Sequence, residues 1–278
     1  MLKNKKVAVI GVGKLGEALI SGLLKQGDLK ATDITGSVAH ESSIERVKQR
    51  LGIESSLDNK ELVRGKDLVL ISVKPQNMDK VIREIADVLT PDQLIISVAA
   101  SVTTKFIEER LNGMPIPVVR AMPNTPATMN AGMTGLCVGK HTSAQHKSSA
   151  EAIFKCVGET VFVDEGLMDG VTALSASGPA YLYVIIESLA EAGVKLGIPR
   201  DISTLLASQT MLGSARMVLE SKAHPALLKD MVTTPAGCTI DGLMELEEGK
   251  LRVTLIKAVV KAAERARELV NTQSSSDK

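Results

Sequence analysis

Residues 6–16, Lys6-Val7-Ala8-Val9-Ile10-Gly11-Val12-Gly13-Lys14-Leu15-Gly16, decide the fold. Val7 to Ile10 form a short apolar run rich in β-branched residues, which reads as a strand, and it ends in Gly-x-Gly-x-x-Gly. Ala18, Leu19, Ile20, Leu23 and Leu24 then recur at helical spacing. Strand, glycine turn and helix in that order suit a dinucleotide. Gly11 makes the tight turn, Gly13 lets the backbone approach a pyrophosphate, and Gly16 lets the helix pack closely. Unpaired amides at the helix start face the anion. Such a glycine triplet recurs in many families, so its position between strand and helix carries the reading.

The alternation continues downstream. Strands are expected at 33–38, 67–73, 94–99 and 117–121, with helices near 42–51, 58–64, 77–88 and 103–112. Residues 133–138 and 161–164 read as additional strands around a helix at 143–156. This pattern predicts a parallel, doubly wound sheet covered on both faces. From 167 onward the strand pattern disappears, and helices are expected at 168–175, 178–196, 200–221, 224–231, 239–247 and 250–270. The expected organisation is α/β: a Rossmann-like dinucleotide domain over 1–164, an all-helical dimerisation domain over 165–270, and a flexible tail over 271–278. The helix beginning at Pro179 is apolar on too many sides for a solvated helix. A second copy of the same domain is the simplest cover, a buried central helix in a monomer the alternative.

Composition narrows the function classes. Lys plus Arg (33) nearly cancel Asp plus Glu (32), and with no tryptophan and few aromatics a nucleic-acid partner has neither electrostatic nor stacking support. The first residues run into a strand without a long apolar segment, and no later stretch suggests a membrane span, so a cytoplasmic protein is expected. Cys137, Cys156 and Cys238 show no metal spacing, and their odd number argues against a disulfide framework. No metal site is expected.

The end of the second strand bears on the cofactor. An NAD site usually has a carboxylate there, whereas the strand closes as Thr35-Gly36-Ser37-Val38. Asp33 belongs at the strand's beginning, remote from a ribose. Ser37 and His40 offer donors for an added phosphate, although Glu41 opposes one. NADPH is therefore favoured, with NADH the alternative. Lys74-Pro75 and Pro123-Asn124 follow expected strands at the carboxyl edge of the sheet, where dinucleotides lie, though each also suits an ordinary rigid turn. Ser177-Gly178-Pro179 reads either as a helix start or as part of a substrate pocket.

The early glycine triplet, Ser72-Val73-Lys74-Pro75-Gln76, Ser97 to Thr103, Arg120 to Pro126, Ser175 to Tyr181, His224-Pro225 with Leu228-Lys229-Asp230, and Thr234 to Ile240 together resemble pyrroline-5-carboxylate reductase, in order and over nearly the whole chain. The resemblance implies reduction of 1-pyrroline-5-carboxylate to L-proline by NAD(P)H. It also implies a domain-swapped homodimer, often assembled into larger rings such as a decamer. By resemblance, Gly11, Gly13, Lys14, Leu15, Gly16, Ser37, Val73, Lys74, Pro75, Ala99, Pro123 and Asn124 face the cofactor. Thr234, Ala236, Gly237, Cys238, Thr239 and Ser177 face the substrate, with Thr239 the hydrogen-bonding partner at the imine nitrogen. Threonine also serves well as a helix N-cap, so both roles stand for Thr239. Ala176 and Ala236 depart from the family, which commonly has glycine at each.

Two other functions share parts of this pattern. A β-hydroxyacid dehydrogenase or imine reductase would use Lys195 as acid, but lacks an account of the Thr-Pro-Ala-Gly turn. A nucleotide-sensing protein would keep the glycine triplet and have no need of Thr234 to Thr239.

Overall fold

A computed structural model describes residues 2–26 and 28–275, with the side chains of 271–275 left aside. It divides into two compact units, 1–177 with 262–278, and 178–261.

The first unit is built on eight strands: β1 (Val7–Ile10), β2 (Ile34–Ser37), β3 (Glu54–Ser56), β4 (Leu68–Ile71), β5 (Leu94–Ser97), β6 (Val118–Pro123), β7 (Gly132–Val138) and β8 (Gly158–Phe162). Their order across the sheet is β3-β2-β1-β4-β5-β6-β7-β8. The helices are α1 (Lys14–Gln26), α2 (Ser42–Leu51), α3 (Asn59–Val63), α4 (Met78–Ile85), α5 (Thr104–Glu108), α6 (Ala144–Lys155) and α7 (Met168–Val171).

Alternate strand residues go to opposite faces, and both faces are dry. Val7, Val9, Leu68, Leu70, Leu94 and Ile96 pack with Leu19, Ile20 and Leu23 of α1 and Phe154 of α6. Ala8, Ile10, Val69, Ile71 and Ile95 pack with Met78, Val81, Ile82 and Ile85 of α4 and Ile107 of α5. This two-sided burial explains why the strands read as unbroken apolar runs. Each fully buried Leu or Ile contributes about 1.5–3 kcal/mol.

All strand pairs are parallel except β6–β7. That departure from the expected parallel sheet follows from chain length: the connection between these two strands is too short for a helical crossover, so the chain returns beside itself. Strand β3 was not expected, being short, polar and at the sheet edge. Strand β8 begins earlier than the expected 161, at Gly158, which pairs with Gly132 of β7 so closely, at φ 148°, that no side chain fits between them.

Residues 165–177 cluster compactly with the sheet. The Glu165 carboxylate accepts from Thr104 N at 2.7 Å and Thr104 Oγ1 at 2.6 Å, and Val171 fills the space left by Gly135. In place of a regular helix at 168–175, α7 passes into a π-helical turn over Thr172–Ala176.

The second unit holds α8 (Gly178–Lys195), α9 (Arg200–Ser221), α10 (Pro225–Met231), α11 (Cys238–Glu248) and the first part of α12 (Leu251–Ser275). Helices α8 and α9 cross closely: a Cβ on Gly193 would lie 2.9 Å from Ser203 Cβ. Little else is covered. Tyr183, Val184, Leu205 and Leu219 are all at least 60% exposed, so the unit's apolar surface far exceeds its core. Helix α12 continues through Ser275, where a tail was expected from 271; residues 276–278 lie outside the described residues.

Candidate active site

The first candidate cluster lies at the carboxyl ends of β1, β2 and β4. Gly11 adopts φ 90°, and a Cβ on it would lie 2.9 Å from both Ser72 O and Val73 Cγ1. Gly16 is equally constrained, since its Cβ would lie 2.8 Å from Gly11 O. Gly13 is different: nothing lies within 4 Å of the position its Cβ would take. The outer two glycines serve the protein's own packing, and the middle one leaves open space beside the start of α1. Lys14, Leu15 and Gly16 form the first turn of α1, where backbone amides have no intrahelical acceptor.

A cleft of about 480 Å³ runs from this turn between the ends of β1 and β4, where the strand order reverses. Gly11, Ser37, Val38, Val73, Asn77 and Lys80 are among its lining residues. Open space at Gly13, an uncapped helix start and a cleft at the reversal point fit a dinucleotide. Lys74 and Pro75 open a 3₁₀ turn at the cleft edge, and Lys74 is exposed. Ala99 is buried just beyond β5, its amide donating to Ser97 Oγ at 3.3 Å.

Ser37 is buried at the end of β2, and its hydroxyl accepts from Gly11 N. Asp33 sits at the other end of this strand, paired with Lys6 at 2.7 Å, which holds its carboxyl below the ordinary aspartate range. No carboxylate therefore follows β2 until Glu41.

Asn124, expected to face the cofactor, also has structural partners. Its Oδ1 accepts from Met133 N at 2.9 Å, and its Nδ2 donates to Ser175 O at 3.3 Å. It ties β6 to β7 and to the π turn that precedes Ser177. Pro123, the last residue of β6, is buried. No local pattern signals this Asn124–Ser175 link, nor the buried Arg120, whose Nη1 lies 3.6 Å from Glu165 Oε1. Cys137 lies on the same network, and burial, reinforced by the Glu165 carboxylate, pushes its thiol up to about 12.

The second cluster belongs to the helical unit. Gly237 is the N-cap of α11, so Cys238 and Thr239 occupy its first two positions and Thr239 is not the cap. A glycine cap brings no side chain to the first-turn amides, which stay available to an anion. Among the described residues the Thr239 hydroxyl has no hydrogen-bond partner, and Cys238 is exposed. Thr234 O accepts from Gly237 N at 3.0 Å, and Ala236 between them has φ 56°. His224 acts as a cap, its Nδ1 accepting from Ala226 N at 3.2 Å.

Among the described residues, no group of three or more His, Cys, Asp or Glu is placed to hold a metal, and no helix is long and apolar enough to cross a membrane.

Residues 6–101 match the family model described as NADP oxidoreductase coenzyme F420-dependent, and residues 165–269 match pyrroline-5-carboxylate reductase dimerisation. The chain is 41% identical to the pyrroline-5-carboxylate reductase of Methanosarcina acetivorans, over 96% of this chain and 99% of that protein. It is 36% identical to the Escherichia coli enzyme of the same name, over 96% and 98%. A solved pyrroline-5-carboxylate reductase from Coxiella burnetii superimposes with TM-score 0.90 at 36% identity, covering 96% of this chain and 99% of that one. A Plasmodium falciparum pyrroline carboxylate reductase with NADP bound gives TM-score 0.86 at 31% identity, covering 96% and 99%.

Proposed function

The chain belongs to the pyrroline-5-carboxylate reductase family, and from that premise we propose that it reduces 1-pyrroline-5-carboxylate to L-proline with NAD(P)H. The near full-length likeness to reductases of this name carries the reading. Bound NAD(P)H supplies a hydride to the imine carbon, which leaves the protein to bind, orient and favour a proton on nitrogen. Gly11, Gly13, Lys14, Leu15 and Gly16 receive the pyrophosphate at the start of α1, with Val73, Lys74, Pro75, Ala99, Pro123 and Asn124 along the path of the dinucleotide. The amides of Cys238 and Thr239 take the substrate carboxylate, while Ala236 and Gly237 form the turn that presents them, the Gly237 amide being engaged by Thr234 O. Thr239 Oγ1 donates to the imine nitrogen, with Thr234 beside it, and the family resemblance also assigns Ser177 to the substrate.

NADPH is the preferred form, because no carboxylate stands at the end of β2 and Ser37 keeps a hydroxyl hydrogen to donate. The helical segment pairs with that of a second copy as a domain-swapped homodimer, a unit that can build larger rings such as a decamer. The exposed apolar faces of α8 and α9 support this. The protein works in the cytoplasm. Light scattering of the purified chain tests the assembly, a monomer removing the paired arrangement. Nicotinamide oxidation with 1-pyrroline-5-carboxylate, and not with a 2-keto acid, tests the reaction.

A further inference from the structure

Thr234-Pro235-Ala236-Gly237 forms a tight turn closed by the hydrogen bond from Gly237 N to Thr234 O at 3.0 Å. Proline at the second place and a left-handed residue at the third, Ala236 with φ 56°, are the marks of a type II turn. Its third place favours glycine, because a Cβ there crowds the backbone. The chain's glycine stands one place later. Gly237 has an ordinary φ of −81°, but a Cβ on it would collide with Thr234 Oγ1 and lie 3.1 Å from Thr234 O. Space demands glycine at 237 and conformation favours it at 236; only the first requirement is met.

Alanine disfavours the left-handed region, so the competing type I turn, with residue 236 at negative φ, comes within reach. The two turns share their end residues and differ chiefly in the direction of the Pro235–Ala236 peptide. That peptide lies immediately before the uncapped start of α11.

We propose that Ala236 makes this turn bistable and thereby sets the affinity for the substrate carboxylate, the left-handed form being the one that binds. The inference rests on the reading of the turn as the carboxylate cradle. An apparent affinity is reduced in proportion to the competent fraction, so a minority population of the left-handed turn raises KM several-fold and leaves kcat unchanged at saturation. Ala236 is in this sense a positioning residue.

The test is a series at position 236 in the full-length protein, with saturating NADPH and two substrates, 1-pyrroline-5-carboxylate and 1-pyrroline, which lacks the carboxylate. Asparagine accepts the left-handed region but is larger than alanine, and valine resists it most. Expected are KM values for 1-pyrroline-5-carboxylate about 3- to 10-fold lower in Ala236→Gly and Ala236→Asn, and higher in Ala236→Val, with kcat constant within about twofold. For 1-pyrroline, KM varies less across the series than for 1-pyrroline-5-carboxylate. Thermal melting of each variant identifies any that fails to fold, and the glycine and asparagine variants suffice without valine. A KM that follows side-chain size, stays flat, or shifts equally for both substrates overturns the inference while leaving the reductase reading intact. Absence of any 1-pyrroline-5-carboxylate turnover in the unmodified protein removes both.

Discussion

The Gly11 amide donates to both oxygens of Ser37, at 3.2 Å to the carbonyl and 3.3 Å to Oγ. The glycine turn and the end of β2 are thereby locked together, and the Ser37 hydroxyl, used as an acceptor on this side, keeps its hydrogen to donate. Ser37→Ala is expected to lower kcat/KM with NADPH about 10-fold and with NADH less than about twofold, the difference expected for one hydrogen bond to a charged group. Steady-state kinetics with both cofactors check it. An equal fall with the two would reduce Ser37 to a brace for the turn.

Gly11 and Gly13 should separate packing from binding. Gly11→Ala forces a Cβ into a left-handed position against Ser72 O, so Tm should fall by several degrees. Gly13→Ala meets no protein atom and should melt with wild type, yet bind NADPH at least about 10-fold more weakly, because its methyl occupies the anion's approach. Calorimetric melting and cofactor titration measure the two effects. Unchanged affinity in Gly13→Ala would mean that the dinucleotide does not cross this turn.

Thr239 sits inside the first turn of α11 and caps nothing. Thr239→Val should therefore leave Tm unchanged, keep KM for NADPH within about twofold and lower kcat about 10- to 100-fold, the loss expected for a hydrogen bond made chiefly in the transition state. Unchanged kcat would take Thr239 out of the mechanism.

The three cysteines should differ in reactivity. Burial raises the Cys137 thiol to about 12 and raises Cys156 as well, and both are buried; Cys238 is exposed at the start of α11. Alkylation of the native protein should label Cys238 first, and excess L-proline should slow it. Mass spectrometry of the labelled peptides checks this, and first labelling at Cys137 would contradict the burial of the Arg120–Glu165 network.

Hydrogen bonds from Arg110 and Arg83 hold the Asp79 carboxyl below the ordinary aspartate range. A depressed carboxylate adds stability that is present above its unfolded pKa of about 4 and is lost as pH falls through its lower folded value. Asp79→Asn should therefore lower Tm near neutral pH, and the gap to wild type should close as the pH falls below about 4. A gap that stays constant over that range would assign the effect to packing.

The parts of the fold legible in the sequence were those with strong local causes. The apolar runs at β1, β4 and β5 and the glycine triplet are readable because each strand is buried on both faces, Gly11 and Gly16 meet close backbone contacts, and Gly13 leaves open space at the helix start. Strand β3 escaped because Glu54-Ser55-Ser56 carries no apolar pattern, and the β6–β7 reversal escaped because periodicity is blind to strand direction. At the candidate site, the turn before α11 was visible as a motif. The links from Asn124 to Ser175 and from Glu165 to Thr104 join residues more than fifty positions apart, and no local pattern encodes them. Ala236 departs from the glycine common in the family, and it stands at positive φ.

The most direct measurement is the loss of nicotinamide absorbance when the purified protein meets 1-pyrroline-5-carboxylate, with L-proline quantified at the end and NADPH and NADH run in parallel. Rapid oxidation, stoichiometric L-proline and a higher kcat/KM with NADPH are expected. No oxidation with either cofactor, under conditions where cofactor binding is demonstrated, would contradict it.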